Sequence, residues 1–424
     1  MRPYLADSDD SLVALSATPA SSRLVLTTSQ GFLLTPSCGH STSTPIQTWS
    51  WLSFDVLDAV DDPVKAKMPS IFGTQNASTR NGLISNSHAC VGDVVYVPLA
   101  IGLAAVDVAT PGEVRLLKYW AVPPYVGADR LSSQFMNRLG PYGTGSSPTA
   151  FGLSSSSAKK TFVTITDGQV QPMRLWVFSD DDAAPTVVNV TFGASPFSTS
   201  EQSVSVLVED DAKKASLVVV NNYAGLANFD TADPNVWSTT GADLEKAAAW
   251  VANTTEGQAQ YAKGHVNIAI SPVVAATCAA GVNRYDFDGA TLKLQWSNTE
   301  VCSQTAIPLQ TPRRVWLVGA LRAAPTAVGL VALDRASGAV DLVVPLPEAL
   351  ASDASFDPLT AFDAVLGLRD LDLEGGFGVT DRDAFNRLLL KNIQYADVET
   401  DGDAVLFGTV GGLVRVVVQG PAGK

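Results

Sequence analysis

The chain has 424 residues, of which 46% are hydrophobic and 17% charged, with 33 glycines, 24 prolines and a formal charge of −14. This apolar content excludes a disordered chain, and the acidic balance argues against binding a nucleic acid, which requires a clustered basic surface. No run of about 18 apolar residues occurs, so no helix is expected to span a membrane.

The sequence leaves the cellular compartment open. The first ten residues, MRPYLADSDD, lack the basic region and apolar core of a secretory signal, so we expect a cytosolic protein or a chain whose true start is missing. Three N-glycosylation sequons begin at Asn76, Asn189 and Asn253. Chance alone supplies about two or three such motifs in a chain this rich in serine and threonine.

Cysteine and histidine spacing gives no metal site. The four cysteines (Cys38, Cys90, Cys278 and Cys302) form no CxxC pair, so buried free thiols are favoured, with a disulfide between Cys278 and Cys302 as the alternative. The three histidines (His40, His88 and His265) form no HxH or HxxxH pair. We therefore predict no bound metal.

In chain order, short apolar runs separated by Ser, Pro and Gly predict β-strands throughout the first 240 residues. Residues 49–59 fit a short helix or an irregular strand. The other predicted strands lie at 12–15, 24–27, 31–35, four pieces within 83–120, 161–166, 174–178, 187–192, 203–208 and 217–220. The last two strands, with a loop to residue 237, are predicted to form one unit.

The second half of the chain mixes strands with helical spacing. Residues 242–251 (ADLEKAAAWV) predict an inserted helix, and Thr380 with Asp383 predicts a helix that begins near Asp381. Residues 268–296 and 306–346 are predicted to form two further units, and strands return at 395–398 and 404–418.

Three segments share one hairpin pattern: 106–120 (VDVATPGEVRLLKYW), 285–296 (YDFDGATLKLQW) and 331–346 (VALDRASGAVDLVVPL). In each, an apolar strand with an Asp near its end leads through a Gly-containing turn into another strand. Such a unit cannot bury both of its faces alone, so several must pack around a common axis. We predict an all-β single-domain propeller over residues 1–424, with about seven four-stranded blades (six or eight also fit) and insertions near 240–252 and 347–392.

The chain also resembles the quinoprotein-like (PQQ-repeat) β-propeller superfamily over residues 85–418. The resemblance rests on the hairpin pattern and on the segments GSSPT (145–149), ITDG with PM (165–173), SEQSV (200–204), VVVNNY (218–223), GVNRYDF (281–287) and FGTVGGLVRV (407–416). It implies the propeller fold and is nearly silent on function. Quinoprotein dehydrogenases hold their cofactor with adjacent cysteines, which this chain lacks, so we expect no quinone and no other cofactor.

Polar residues that precede the innermost strands of a propeller converge on the mouth of its central channel. The residues that we place there are Ser146, Ser147, Glu201, Gln202, Ser303, Gln304, Asn392 and Gln394. Strand capping and channel water are an equally simple use of these groups. Asn221 and Asn222 are a further candidate pair, with turn formation as their default role.

Three acidic segments are interpreted as turns. Residues 397–403 (DVETDGD) imitate the start of a calcium loop, but the twelfth position is Gly408, so an Asp-Gly hairpin is favoured. Residues 180–182 and 209–211 are expected to be solvated turns at blade edges.

For function, the sequence favours a non-enzymatic propeller that recognises a small molecule, a glycan or a protein partner at the channel mouth and on loops such as 125–145. The alternative is a propeller enzyme, a lyase, hydrolase or oxidoreductase, that uses Glu201 with Ser147 or His88. A carboxylate in that role needs a raised pKa to exchange protons at neutral pH.

Overall fold

A computed structural model describes 25 β-strands and no helix among the residues that it covers. Among the described residues, no helix is long and apolar enough to cross a membrane. The described residues are 12–18, 20, 24–28, 32–38, 47–53, 86–99, 102–110, 113–121, 146–154, 159–166, 173–182, 184–193, 200, 202–209, 211–221, 281–303, 305–324, 329–345, 394–401, 404–409 and 412–417.

The first three sheets are each built from four consecutive strands. The first sheet contains β1 (Leu12–Ala17), β2 (Leu24–Thr28), β3 (Phe32–Cys38) and β4 (Gln47–Ser53). The second contains β5 (Ala89–Val91), β6 (Val94–Leu99), β7 (Gly102–Asp107) and β8 (Arg115–Ala121). The third contains β9 (Thr149–Ser154), β10 (Lys159–Thr166), β11 (Met173–Ser179) and β12 (Thr186–Val190).

Three more sheets follow along the chain. The fourth contains β13 (Ser205–Val208), β14 (Ala215–Val220), β15 (Val282–Phe287) and β16 (Leu292–Asn298). The fifth contains β17 (Val301–Ser303), β19 (Leu309–Gln310), β20 (Arg314–Leu321), β21 (Gly329–Asp334) and β22 (Val340–Pro345). The sixth contains β18 (Thr305–Ile307), β23 (Gln394–Asp401), β24 (Ala404–Thr409) and β25 (Gly412–Val417).

Strand alternation sends the two faces of a sheet into different cores, because successive side chains point to opposite faces. In β14, Leu217 and Val219 pack with the third sheet, whereas Val218 and Val220 pack with the fifth. The same division recurs along the chain, so that five separate cores join the first sheet to the second, the second to the third, and so on to the sixth.

Strands near the start of the second to sixth sheets also contact one another in order. β9 lies against both β5 and β13, β13 lies against β19, and β19 lies against β23. Sheets that pack face to face in chain order, with their first strands side by side, form a propeller around a hub. The predicted all-β propeller fold is therefore confirmed, while the described residues do not fix the number of blades.

The repeated hairpins are confirmed as β7–β8, β15–β16 and β21–β22, the last two strands of their sheets. Each hairpin has a β-bulge at the same place, which leaves one extra residue on the outer strand: Leu117, Gln295 and Asp341. All three extra residues are exposed. The bulge increases the local twist of each outer strand, a feature that the sequence pattern did not show.

The Asp at the end of the inner strand of each hairpin stabilises the turn. Oδ1 of Asp107 accepts from the backbone N–H of Ala109 at 2.9 Å, and Oδ1 of Asp288 accepts from that of Thr291 at 2.8 Å. Oδ1 of Asp334 accepts from the backbone N–H of Ser337 at 2.8 Å. These are Asx-type turns, which explains why Asp recurs at this position.

The fourth sheet corrects the predicted division into units. Strands 203–208 and 217–220 were expected to form one unit and residues 268–296 another. In the structure β14 pairs along its whole length with β15, from Ala215 opposite Phe287 to Val220 opposite Val282. The two predicted units are therefore one sheet, interrupted by residues 222–280, because strand pairing depends on spatial contact and tolerates a long insertion.

Residues 301–310 connect the fifth and sixth sheets. β17 and β19 pair antiparallel with β20, while β18, between them, pairs in parallel with β23. One short segment therefore contributes to both sheets. The helices expected at 242–251 and near Asp381 lie outside the described residues, and of 49–59 only 49–53 are described, as part of β4.

Candidate functional site

Hydrogen bonds join neighbouring sheets at the end where their first strands begin. Oγ of Ser147, which precedes β9, donates to Oδ1 of Asn86, which precedes β5, at 2.8 Å. Oγ1 of Thr149 donates to the carbonyl oxygen of Val204 before β13 at 2.8 Å. The amide of Gly281 donates to the carbonyl oxygen of Val301 in β17 at 2.9 Å. We call this end of the second to fifth sheets the hub end.

Two predicted site residues, Ser146 and Ser147, are satisfied by protein atoms at the hub end. Ser146 is fully buried, and its Oγ donates to the carbonyl oxygen of Ser147 at 3.2 Å. Ser147 is half-buried and donates to Asn86 as described above. Their hydroxyls cap the strand entry, as expected for buried polar groups that need a partner.

Gln202 is the predicted site residue whose side chain lacks a hydrogen-bond acceptor. Its backbone N–H donates to Oγ of Ser200 at 3.2 Å, and Thr166 donates to the carbonyl oxygen of Ser200 at 3.4 Å. The Gln202 side chain is 3% exposed, and its buried Nε2 has no acceptor within the described part of the protein. A buried amide nitrogen without an acceptor costs about 1–3 kcal/mol, so this position is suited to an added acceptor.

The remaining predicted residues divide into buried and undescribed ones. Ser303, in β17, is fully buried. Asn221 is also fully buried, and its backbone N–H donates to the carbonyl oxygen of Gly281 at 2.8 Å. Gln394 begins β23, and its side chain is not described. The residues that lie outside the described part are Glu201, Asn222, Gln304 and Asn392.

His88 contacts hydroxyl groups of the first sheet. Its Nε2 pairs with Oγ of Ser16, and its Nδ1 lies 3.3 Å from Oγ1 of Thr27. Burial lowers the pKa of His88 to about 4, so the ring is neutral at pH 7. Its partners are therefore Ser16 and Thr27, whereas the enzyme hypothesis placed it near Ser147 and Glu201.

The favoured expectation that the cysteines are free thiols holds for one of the two whose side chains the structure describes. Cys90 is a free thiol 3.5 Å from Oγ of Ser16, and burial raises its pKa. Cys302, by contrast, is fully buried and disulfide-bonded, so the expectation of a free thiol is wrong at this position. The disulfide partner is not among the described side chains.

A charged network at the interface of the fourth and fifth sheets was missed from the sequence. Arg284 donates from Nε to Oγ of Ser216 at 2.8 Å, from Nη1 to the carbonyl oxygen of Arg335 at 2.8 Å, and from Nη2 to Oδ1 of Asp286 at 2.7 Å. Arg335 in turn pairs with Glu209. Two buried guanidinium groups are thus neutralised by two carboxylates, Asp286 and Glu209, which lie nearer the surface.

A second missed contact joins the second and third sheets. Nζ of Lys118 donates to the carbonyl oxygens of Asp182 at 2.6 Å, Asp180 at 2.9 Å and Ser179 at 3.4 Å. The hydroxyl of Tyr96 donates to Oδ2 of Asp180 at 2.8 Å. The acidic run 180–182 is an exposed turn, as predicted, and it is also held by the neighbouring sheet.

The other acidic segments are also turns. Asp401, at the end of β23, pairs with Ala404, at the start of β24, as the favoured hairpin requires; residues 402 and 403 lie outside the described part of the chain. Glu209 lies at the turn between β13 and β14 as predicted, but it pairs with a buried arginine rather than with solvent alone. No cluster of three metal-ligating side chains occurs among the residues that the structure covers.

Comparison with known proteins finds only remote structural similarities. No family model matches the chain, and no curated protein matches it. Among solved structures, BamB from Moraxella catarrhalis is similar at 12% identity and a TM-score of 0.34, over 96% of this chain and 85% of that one. The Myceliophteria thermophila Cps50 (Swd1) β-propeller domain is similar at 8% identity and a TM-score of 0.39, over 96% and 83%.

Quinohemoprotein alcohol dehydrogenase from Comamonas testosteroni is also similar, at 11% identity and a TM-score of 0.37. The similarity covers 81% of this chain and 46% of that one, so the chain corresponds to about half of the dehydrogenase. The resemblance to the quinoprotein-like superfamily therefore stays a prediction. Similarities this remote carry nothing on activity, and the sheet order of the chain itself remains the argument for the propeller.

Proposed function

We propose that this protein is a non-enzymatic recognition propeller that binds a partner molecule at the hub end. The supporting observation is Gln202, whose buried Nε2 has no acceptor within the described part of the chain. Buried polar groups are normally satisfied. An oxygen acceptor supplied by a ligand would satisfy this one.

The chemistry of the hub end favours a neutral acceptor. Its polar side chains include the hydroxyls of Ser146, Ser147 and Thr149 and the carboxamides of Asn86 and Gln202. The Ser147 hydroxyl donates to Asn86, whereas Nε2 of Gln202 has no acceptor among the described residues and can donate to a ligand. A carbonyl or hydroxyl oxygen of a small molecule, a glycan or a peptide can accept this hydrogen bond.

The arrangement supports binding better than catalysis. General acid–base chemistry requires a titratable group within hydrogen-bond reach of the reacting atom. His88 contacts Ser16 and Thr27 in the first sheet, and Ser147 donates to Asn86. Glu201 lies outside the described residues, so the enzyme alternative that depends on it stays a prediction.

The test is a thermal-shift screen of the wild-type protein against sugars, short peptides, quinones and divalent metals. A ligand that binds only the folded state raises its stability. We expect a sugar or a peptide to raise the melting temperature, and Gln202→Met to abolish the rise because methionine has no donor.

The matched control is Gln295→Met. Gln295 is an exposed glutamine on β16, and its Nε2 donates to the carbonyl oxygen of Lys293 at 3.4 Å. This variant is expected to keep the ligand-induced shift in full. Equal ligand shifts in wild type and Gln202→Met would rule out Gln202 as the recognition group.

A further inference from the structure

Asn189 is the one glycosylation acceptor of the three that falls within the described residues, in the sequon Asn189-Val190-Thr191. It lies on β12, which ends the third sheet on the side away from β9. An oligosaccharide can be attached only where the folded chain leaves room for it. The placement of Asn189 therefore distinguishes a usable sequon from a chance one.

The alternation of β12 places the sequon on the solvent side. Val188 and Val190 pack into the core shared by the third and fourth sheets, and Val190 is fully buried. Asn189 and Thr191, one position to either side of Val190, are both exposed. The two residues that define the sequon thus share an open face, while the residue between them anchors the strand.

The backbone at this position is fixed by protein contacts that leave the Asn189 side chain exposed. Nδ2 of Asn283, in the fourth sheet, donates to the carbonyl oxygen of Thr191 at 3.0 Å. On the same exposed face, Val187 is 41% exposed two residues before Asn189. An attached sugar would cover this apolar rim residue and protect an outer strand from pairing with other chains.

Cys302 supplies an independent indication of the compartment. Its disulfide bond forms and persists in oxidising environments such as the endoplasmic reticulum and the cell exterior. N-glycosylation of Asn-X-Ser/Thr belongs to the same secretory route. The disulfide and the exposed sequon lie in different sheets and point to the same environment.

From these observations we propose that Asn189 is an N-glycosylation site and that the chain matures in the secretory pathway. The carboxamide nitrogen of Asn189 forms a bond to C1 of the first sugar of a lipid-diphosphate-linked oligosaccharide. The bond from C1 to the diphosphate oxygen breaks, the lipid diphosphate leaves, and the carboxamide loses one proton to the medium. The site lies on an outer strand, whereas the hub end lies at the first strands, so the proposal does not depend on the proposed function.

The experiment expresses the full chain with a cleavable secretory leader in cultured eukaryotic cells. Site-specific occupancy is measured by peptide mass spectrometry after enzymatic removal of glycans in heavy-oxygen water. The wild type is expected to be glycosylated at Asn189 in most molecules, and Asn189→Gln is expected to show none. Thr191→Ala should also abolish occupancy, whereas Thr191→Ser, which retains the sequon, should preserve it.

The same secreted sample is digested without reduction to determine the state of Cys302. A disulfide-linked Cys302 peptide together with a glycosylated Asn189 is the expected result. A bare Asn189 in secreted, folded wild-type protein would overturn the proposal, and so would a reduced Cys302 in that sample. If Asn189→Gln is not secreted, the comparison of Thr191→Ala with Thr191→Ser decides the question.

Discussion

The two faces of the fourth sheet are built on different physical principles. Towards the third sheet, Phe151, Phe162 and Phe287 form an aromatic cluster, with the Phe162 and Phe287 ring centroids 5.0 Å apart. Towards the fifth sheet, apolar residues share the interface with the hydrogen-bonded pair of Arg284 and Asp286. One interface is held by dispersion and exclusion of water, and the other depends partly on oriented polar bonds.

This difference shows what a strand pattern can and cannot reveal. β14 (ASLVVV) is an apolar run that is buried at every position, so the existence of two buried faces follows from the sequence. Which face carries a charged network depends on Glu209 and Arg335, which come from turns far apart in the chain. The sequence of a single strand is therefore enough to predict its apolar face, whereas the partners of the polar face are identified only in the assembled structure.

Truncation of the aromatic cluster should have the largest effect. Phe162 is 2% exposed, and Phe162→Ala removes a ring that contacts Phe151 and Phe287. We expect the free energy of unfolding to fall by about 4 kcal/mol, measured by urea denaturation. Val187→Ala, at an exposed position of the same sheet, should change it by less than about 0.5 kcal/mol.

Loss of the buried guanidinium of Arg284 should lower the free energy of unfolding somewhat less than Phe162→Ala does. Arg284→Met removes three hydrogen bonds and leaves the carboxylate of Asp286 without its close partner. We expect a loss of about 3 kcal/mol, compared with less than about 0.5 kcal/mol for Arg313→Met at an exposed position. Equal stability of the two variants would show that the polar interface contributes nothing.

Acidification should weaken a third interface, between the first and second sheets. The pKa of His88 is about 4 in the folded protein, below the ordinary 6.5. Between pH 6.5 and 4 the unfolded chain therefore binds a proton that the folded chain does not, so stability falls as the pH falls. From pH 7.5 to 5 we expect the free energy of unfolding to fall by about 2 kcal/mol.

His88→Gln is the matched variant for this pH dependence. It cannot take up the proton, so the part of the loss between pH 7.5 and 5 that comes from residue 88 should disappear. Urea denaturation of both proteins at the two pH values measures the difference. An unchanged pH slope in the variant would mean that this ring is not buried in its neutral form.

The turn aspartates should give the smallest effect. Hydrogen bonds from the backbone N–H groups of Thr291 and Ala290 lower the pKa of Asp288 below its ordinary 3.8. The stability that they contribute is therefore present above the unfolded pKa and is lost as the pH falls through the folded one. Asp288→Ala should lower the free energy of unfolding at pH 7 by less than about 1 kcal/mol. Asp286→Ala, which removes the carboxylate that pairs with Arg284, should lower it more.

The sequence was sufficient for the fold class and for several strand positions, because apolar alternation and Asp-Gly turns are local signals. It was not sufficient for the division of the fourth sheet, where β14 and β15 pair across residues 222–280. Ser147 and Gln202 precede the first strands of their sheets, while their role in a binding site stays a prediction. The sequence could not show that Ser147 is satisfied by Asn86 while Nε2 of Gln202 is not, since both outcomes depend on the neighbouring sheet.

The central claim is that the first strands of consecutive sheets begin side by side around a hub. A double-mutant cycle on Ser147→Ala and Asn86→Ala tests it directly, because their 2.8 Å hydrogen bond joins the third sheet to the second. We predict a coupling energy of about 0.5–1.5 kcal/mol, measured by urea denaturation of the four proteins. Stability losses that add within about 0.3 kcal/mol would contradict the account, since residues on separated sheets do not interact.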